Sequence, residues 1–324
     1  MNKYINNQIL PEGFKVLLPN EAQKEELISR KILDILIKKN YALVKTPIIE
    51  YQSPNINSLY TKDTIHEPFI LIEPDTKKIL VIRSDITPQI AKLASTKLNH
   101  IKRPLRLMYS GEVLRNIKNL YQSDRQFKQI GAELIGASHN KGLLEIIKLA
   151  NSIIKSLKMK NTTIDFSVPS LMRYLEKIID FKKTEGKMIR EAIENKDSSI
   201  ITNKKYNYLK SIIECSGTLD EAKKNFKKSS FPSKINIILE NFFKSLNYLK
   251  KNNSDISITV DISEGNNFLN YQNIGFKIYN KNDSSVIAIG GDYILENKEL
   301  GIGITLITNN ICSAFKYINR KGKF

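Results

Sequence analysis

The chain has 324 residues, 41% of them hydrophobic, and its 51 basic and 33 acidic residues give a formal net charge of +18. That length is enough for one large core or two smaller ones. The two cysteines form no CxxC or CxxxC pair, which argues against a disulfide framework or a thiolate metal site. The three histidines match no metal-ligand spacing, so we interpret them as surface or loop residues: His66, His100 and His139.

The positive charge has two interpretations. It can indicate a nucleic-acid or phosphate partner, or it can reflect a composition rich in Lys, Asn and Ile throughout. The lysine pairs are scattered along the chain rather than gathered into one stripe, which favours the second interpretation. The start of the sequence has no signal-peptide pattern, and no apolar run approaches the ~20 residues that span a bilayer. We therefore expect a cytoplasmic protein without a membrane segment.

The first part of the chain predicts two helices and two strands. The segment LPNEAQKEELISRKILDILIKKNY has helical spacing of its apolar residues, with Asn20 as N-cap and Gln23 at the third helical position. The segment YALVKTPIIE predicts a strand that is ended by Pro47, and KILVIRSD predicts a second strand over 78–85. A helix then begins in ITPQIAKLASTKL, where Thr87 can act as the cap.

Two longer strands follow, PLRLMYSGEVLR and RQFKQIGAELIG. They predict an antiparallel pair with an unusually long connection, NIKNLYQSD, and long loops in compact domains are often functional. Gln129 and Glu133 are four residues apart, so in a strand both point to one face. These residues suggest a pocket for a small charged molecule. An amphipathic helix is predicted over 139–158.

The rest of the chain predicts helices and then strands. Helical patterns fill 169–251, and strands return at ISITVDIS, NIGFKIYN and SVIAIGGDY, with LGIGITLI closing the sheet. Mostly antiparallel strands, helices on one side and a helical insertion predict an α+β fold. The domain hypothesis is an N-terminal part over 1–168, the insertion over 169–251 and a C-terminal part over 252–324. No dinucleotide, P-loop or nucleophile-elbow motif occurs.

These segments, in this order, resemble the catalytic domain of class II aminoacyl-tRNA synthetases. The likeness is strongest to histidyl-tRNA synthetase and to its non-catalytic relative, the regulatory subunit of ATP phosphoribosyltransferase. PEGFKVLLPNEAQKEELISRKILDILIKKNYALVKTPIIEY resembles motif 1, the helix and strand of the dimer interface. LRLMYSGEVLRNIKNLYQSDRQFKQIGAELIG resembles motif 2, IAIGGDY resembles the GGRY segment, and GIGITL resembles the beginning of motif 3. The resemblance implies a class II synthetase-like antiparallel sheet flanked by helices.

Three features favour the non-catalytic relative. The synthetase carries an anticodon-binding domain after motif 3, where this sequence has only NNICSAFKYINRKGKF. RSDITPQ resembles the regulatory subunit, whereas the synthetase has an RPEGT-like segment. Two arginines of the synthetase align with Asn266 and near Asn310, and no arginine occurs between Arg190 and Arg320. Adenylation gathers negative charge that arginines or metal ions neutralise, and losing one such donor costs about 10²–10³-fold in rate. Arg83, Arg106, Arg115 and Arg125 could supply only the motif-2 side.

By resemblance, the amino-acid side of the pocket is retained. Asp85, Thr87 and Gln129 match residues that hold the α-ammonium of histidine. Glu133 and Tyr271 match those that contact its imidazole. Two further matches complete the candidate histidine-binding set: Arg115 near the carboxylate, and Tyr293 of GGDY lining the same cavity. Each alone has an ordinary structural interpretation, as a turn residue, a solvated strand face or a core aromatic.

The resemblance implies a regulatory subunit of ATP phosphoribosyltransferase, not itself an enzyme, with no catalytic residue, metal or cofactor. It would assemble with a short-form catalytic subunit, as a dimer itself, and make histidine biosynthesis sensitive to histidine as effector. One alternative is a truncated histidyl-tRNA synthetase-like enzyme that activates an amino acid with ATP. The other is an RNA-binding module, against which the scattered lysines argue. Steep salt dependence of tRNA affinity would favour that module.

Overall fold

The computed structural model describes residues 10–52, 68–116, 124–253, 256–264 and 271–315. The strands in these ranges are β1 (Ala42–Leu43), β2 (Ile49–Tyr51), β3 (Phe69–Ile72), β4 (Ile79–Ile82), β5 (Leu105–Leu114), β6 (Gln126–Ile135), β7 (Thr162–Ser167), β8 (Ser216–Thr218), β9 (Ile258–Asp261), β10 (Gly275–Asn280), β11 (Val286–Ile294) and β12 (Leu300–Ile307). The helices are α1 (Pro19–Lys38), α2 (Thr87–Ser95), α3 (His139–Ser156), α4 (Pro169–Ile178), α5 (Thr184–Glu194), α6 (Asn207–Glu214), α7 (Leu219–Lys228), α8 (Ser233–Asn252) and α9 (Thr308–Ala314).

Nine of the described strands form one sheet, in the order β1-β5-β6-β12-β11-β10-β7-β9-β8. Only the β1–β5 and β7–β9 pairs are parallel. The predicted antiparallel pairing of β5 with β6 is confirmed. The prediction that LGIGITLI closes the sheet is wrong, because β12 lies in the interior between β6 and β11. Strand β12 therefore joins the N-terminal and C-terminal parts of the chain.

Helices cover both faces of this sheet. Buried residues of α1, α3 and α9 pack with Met108, Ile130 and Ala132 on one face. Buried residues of α2 pack with Tyr109 and Phe127 on the other. This division follows from the alternation of side chains along a strand. The prediction of helices on one side only is wrong, and the face under α2 is the one that carries Gln129 and Glu133.

The helix starts differ from the sequence predictions. Helix α1 begins at Pro19, after the N-cap Leu18, and the Leu18 N–H donates to Glu21 Oε2 at 3.2 Å, so Glu21 rather than Gln23 satisfies this end. Helix α2 has Ile86 at the N-cap, without a side-chain capping bond. Thr87 is thus the first helical residue, and its hydroxyl is free to serve the site described below.

The predicted strand YALVKTPIIE is two strands in two sheets. Strand β1 joins the edge of the large sheet, whereas β2 joins a separate sheet of order β2-β4-β3. The small sheet exposes an apolar surface, the motif-1 face, formed by Ile70, Ile72 and Ile79 on one side of the sheet. Ile49, Tyr51 and Leu71 are exposed on its other side. Large exposed apolar surfaces on soluble proteins commonly mark protein–protein contacts.

We expect the purified chain to be a dimer through the motif-1 face. Ile70 and Ile72 are 59% and 68% exposed, so a two-fold contact would bury them. Ile72→Asp should shift sedimentation at micromolar concentration from dimer to monomer. Ile237→Asp is the matched control, because Ile237 is equally apolar and 54% exposed but lies on α8. A monomeric wild type at that concentration would contradict the prediction.

Between β7 and β9 the described chain is mainly helical, with α4 to α8 and two short 3₁₀ turns. The expectation of helices alone misses β8, which pairs with β9 and extends the large sheet. Gly217, at φ +119°, sits in this strand and explains why strand propensity does not reveal it. Within the described ranges, no helix is both long and apolar enough to cross a lipid bilayer.

Candidate functional site

The centre of the candidate site is the carboxyl group of Glu133 in β6. Its side chain is only 1% exposed. The Thr87 hydroxyl donates to Oε1 at 2.8 Å, and the Tyr293 hydroxyl donates to Oε2 at 2.8 Å. These donors come from α2 and β11, which are distant in sequence. The fold therefore brings three of the predicted site residues into direct contact.

A second chain of hydroxyl groups lies beside Glu133. The Tyr109 hydroxyl is 3.0 Å from Thr87 Oγ1 and 2.8 Å from Thr305 Oγ1. The sequence analysis did not single out Tyr109 or Thr305. Tyr109 pairs with Gly131 and Thr305 pairs with the same glycine from the other side, so they share one row across the sheet. Side chains alternate along a strand, and that alternation, followed from Gln129 and Glu133 to the neighbouring strands, was the sequence signal that could have identified Tyr109 and Thr305.

Asp85, in the loop before α2, and Gln129, on β6, add two further acceptors. The Ile86 N–H donates to Asp85 Oδ1 at 2.9 Å and to Gln129 Oε1 at 3.3 Å. Arg115 packs on the Phe127 ring, with its guanidinium carbon 4.8 Å from the ring centre, and its Nε donates to the Ser84 carbonyl. Burial raises the pKa of Asp85, and the positive charge of Arg115 opposes that rise. Asp85, Gln129 and Arg115 thus border one side of the site.

Tyr271 completes the predicted set. Burial raises the pKa of its phenol, and the carboxyls of Asp85 and Glu133 raise it further, so the phenol lies near both acids. Arg173 of α4 donates to the main-chain carbonyl of Tyr271. All seven residues predicted for the pocket therefore surround one region on the α2 face of the sheet.

Glycines make room for these side chains. A Cβ atom added at Gly303 would lie 1.9 Å from Glu133 Oε2, and one at Gly131 would lie 2.1 Å from the Tyr109 ring. Added at Gly301 or Gly291, it would lie 2.5 Å from the Tyr293 or Tyr271 ring. Such distances are far below van der Waals contact, so the pocket side chains lie flat over glycines of the neighbouring strands. The glycines of these strands are visible in the sequence, but their role in leaving room for the pocket side chains was not predicted.

The acids of the site favour a positively charged guest. Burial raises the pKa of Glu133 to about 8, although hydrogen bonds from Tyr293 and Thr87 oppose the rise. At neutral pH the Glu133 carboxyl group is therefore protonated in most molecules. An ammonium or N–H donor placed beside it stabilises the charged form and drives that proton off. Asp85 and the hydroxyl groups provide further acceptors for such a guest.

The predicted arginines for a phosphate group are not all in the pocket. Arg106 lies on the other sheet face, where its guanidinium binds Glu145 of α3 in bidentate fashion at 2.7 and 2.9 Å. Arg83 donates to the main-chain carbonyls of Glu112 and Thr46. The position of Arg106 corrects the sequence hypothesis, because Glu145 pairs with it away from the pocket, whereas Arg83 lies over Gly111 on the α2 face of the sheet. Asn310 donates to the Val286 carbonyl, and Asn266 lies outside the described residues.

Three carboxylates form a separate cluster at the β7–β9–β10 side of the sheet. One oxygen each from Asp165, Asp261 and Glu264 lies within 4.8 Å of the others. Lys196 pairs with Asp261 at 2.6 Å, and the buried Lys277 pairs with Glu264. Burial raises the pKa of Asp165 to about 6. The two lysines balance most of the charge, so we interpret the cluster as a structural ion-pair network.

The family model described as histidyl-tRNA synthetase matches residues 13–311. The chain belongs to the histidyl-tRNA synthetase family. Within its relatives, it is 24% identical over 317 residues to the ATP phosphoribosyltransferase regulatory subunit of Paramagnetospirillum magneticum, covering 97% of this chain and 83% of that one. It is 31% identical over 193 residues to the protein of the same name from Rhodospirillum centenum, covering 60% of this chain and 50% of that one.

Solved structures of the histidyl-tRNA synthetase family have the same fold. An ATP phosphoribosyltransferase regulatory subunit/histidyl-tRNA synthetase from Bacillus halodurans superposes with a TM-score of 0.80 at 18% identity, covering 98% of this chain and 85% of that one. The ATP phosphoribosyl transferase (HisG:HisZ) complex of Thermotoga maritima superposes with a TM-score of 0.63 at 17% identity, covering 88% of this chain and 97% of that one. The predicted α+β class II synthetase-like fold and the resemblance to both members of the family are confirmed.

Proposed function

We propose that the chain is the regulatory, non-catalytic subunit of ATP phosphoribosyltransferase. In this role it assembles in the cytoplasm with a short-form catalytic subunit, enables the first step of histidine biosynthesis and makes that step sensitive to histidine. The names of the relatives support the regulatory role. The observation that carries the pocket assignment is the pair of acids, the buried Glu133 and the half-buried Asp85, surrounded by hydroxyl and amide groups.

The pocket chemistry fits free histidine. An α-ammonium needs several acceptors, and Asp85, Thr87 and Gln129 offer oxygen atoms at the end of one loop and on β6. An imidazole needs partners for two ring nitrogens at fixed separation, and Glu133 and Tyr271 supply a carboxyl and a phenol. Arg115 lies next to the Asp85 loop, where a histidine carboxylate would pair with it. The raised pKa of Glu133 means that binding releases a proton at neutral pH.

Feedback requires more than binding. A ligand inhibits only if it binds the inhibited arrangement of the complex better than the active one, and such coupling is typically ~1–3 kcal/mol. We propose that histidine in this pocket biases the contact with the catalytic subunit in that way.

The chain should not activate histidine with ATP. Arg83 and Arg106 are engaged by protein groups, and the sequence offers no arginine between Arg190 and Arg320. Lysine does not replace the bidentate guanidinium fork on a phosphate. We expect no histidine-dependent pyrophosphate exchange and no charging of tRNA. Turnover on the order of 1–10³ s⁻¹ would support the alternative function, a truncated synthetase-like enzyme, and overturn the regulatory proposal.

The partner is tested by mixing the chain with a short-form catalytic subunit from the same organism. The two should elute together in gel filtration, and the rate of phosphoribosyl transfer should rise above that of the catalytic subunit alone. Ile237→Asp serves as a folded surface control for both measurements, since it changes an exposed side chain away from the pocket. Separate elution at every salt concentration tried would remove the partner assignment.

A further inference from the structure

A buried charge pair lies directly behind the pocket wall. The Asp292 side chain is fully buried, and its Oδ2 is 3.2 Å from His139 Nε2 at the start of α3. His139 is therefore not the simple surface histidine that the sequence suggested. Burial alone would raise the pKa of Asp292, but the neighbouring His139 imidazole and hydrogen bonds from two main-chain N–H groups lower it overall. Asp292 is an ionised acceptor inside the protein.

The main-chain donors to Asp292 belong to the segment that carries Tyr271. The N–H groups of Asn273 and Ile274 both donate to Asp292 Oδ1, at 2.8 and 2.7 Å. The Asn273 side-chain amide donates to Oδ2 at 3.0 Å. One carboxylate thus accepts three bonds from two consecutive residues, which fixes their backbone. Hydrogen bonds to a charged group are about twice as strong as neutral ones.

The same segment is held from its other side by Arg173. Its guanidinium donates to the main-chain carbonyls of Tyr271 and Gln272. The Tyr271 ring rests over Gly291, the residue before Asp292, where an added Cβ would lie 2.5 Å from Cδ1. The carbonyls of Tyr271 and Gln272 and the N–H groups of Asn273 and Ile274 are therefore all bonded to charged side chains. Together they set where the phenol of Tyr271 sits relative to Glu133.

We propose that Asp292 is a positioning residue for Tyr271: by anchoring Asn273 and Ile274 it places the Tyr271 phenol in the pocket and so sets the affinity for the imidazole-bearing ligand. This inference rests on the proposed function for the identity of the ligand. Asp292 itself lies on the opposite side of β11 from its neighbour Tyr293, whose hydroxyl binds Glu133. It acts on the pocket only through the segment it holds.

Asp292→Ala removes the carboxylate that holds Asn273 and Ile274 but leaves the main-chain hydrogen bonds of residue 292 in place. The backbone bonds from Gln272 N–H to the Asp292 carbonyl and from Asp292 N–H to the Ile274 carbonyl, at 2.7 and 3.0 Å, do not depend on the side chain. Asp283→Ala is the matched control. Its carboxylate also accepts from a main-chain N–H and a hydroxyl, both of Ser285, but in the turn between β10 and β11.

The first measurement needs no ligand. Hydrogen–deuterium exchange of the amides of Asn273 and Ile274 should become at least about tenfold faster in Asp292→Ala, because their acceptor is gone, and should not change in Asp283→Ala. Exchange as slow as in the wild type would overturn the positioning proposal whatever the ligand proves to be.

The second measurement is a double-mutant cycle for histidine affinity by calorimetry. Asp292→Ala and Tyr271→Ala should each weaken binding by about tenfold, and the double variant no more than Tyr271→Ala alone. Additive losses would show that Asp292 acts on the whole fold rather than through Tyr271, and would overturn the proposal. A wild type that binds no histidine would remove the proposed ligand, and the exchange measurement would then decide on the positioning role by itself.

Discussion

Replacing Glu133 by alanine is expected to raise the histidine concentration that half-inhibits the complex by about 10- to 150-fold. The Glu133 carboxylate would accept from the imidazole N–H of histidine, and its loss leaves that donor unpaired in a closed pocket. Losing a hydrogen bond to a charged group costs roughly 1.5–3 kcal/mol, which gives that range of affinity. The test is an inhibition curve on wild-type and variant complexes at matched assembly.

The control for this variant lies in the same hairpin. Glu112 on β5 is half-buried and has a raised pKa, but it lies opposite Lys128 of β6, on the sheet face away from Glu133. Glu112→Ala should therefore leave the half-inhibitory histidine concentration unchanged. Both variant complexes should still form and remain active, since Glu133 points into the pocket. An intact Glu133→Ala complex with wild-type inhibition would show that histidine does not act here.

Glu133 should also make the ligand-free protein less stable as pH rises. The pKa of this carboxyl moves from an ordinary 4.5 to about 8 on folding. Between those values the unfolded chain releases the proton while the folded chain keeps it, so folding becomes less favourable with increasing pH. At about 1.4 kcal/mol for each pH unit, the loss reaches at most about 5 kcal/mol above pH 8 and is absent well below pH 4.5.

Glu133→Gln tests that dependence, because glutamine fills the same space and does not titrate. Denaturant unfolding of the wild type and the variant should give similar free energies near pH 4, since the folded carboxyl is protonated there and the unfolded one is still mostly protonated. The variant should become progressively more stable than the wild type up to pH 9. A constant difference across this range would mean that Glu133 keeps its ordinary pKa in the folded state.

The sequence predicted the strands and helices with strong periodicity. The β5–β6 pair and helix α3 were located within a few residues, because alternation and helical spacing are local signals. Positions that depend on distant partners were missed. Strand β12 lies inside the sheet because it pairs with both β6 and β11. The chain breaks between β1 and β2 because these two strands join different sheets.

The residues of the candidate site could be named from the sequence, but the contacts between them could not. Family resemblance identified Asp85 and Glu133, since motif order places them without any geometry. The roles of Tyr109 and Gly303 were missed because each follows from a neighbour across the sheet. Arg106 was assigned to the pocket wrongly. Its alternation with Leu107, which pairs with Glu133, already placed it on the other face.

The interior position of β12 has a consequence for the order of events during synthesis. Strand β6, with Glu133, and strand β11, with Tyr293, are not adjacent, and each is paired to β12, which the ribosome makes after both. Through most of translation, β6 therefore offers an open hydrogen-bonding edge, the kind of edge that invites aggregation. The pocket comes into being only at the end of this process. A nascent chain that ends before β12 lacks this arrangement of side chains, so only finished molecules would offer the proposed binding site.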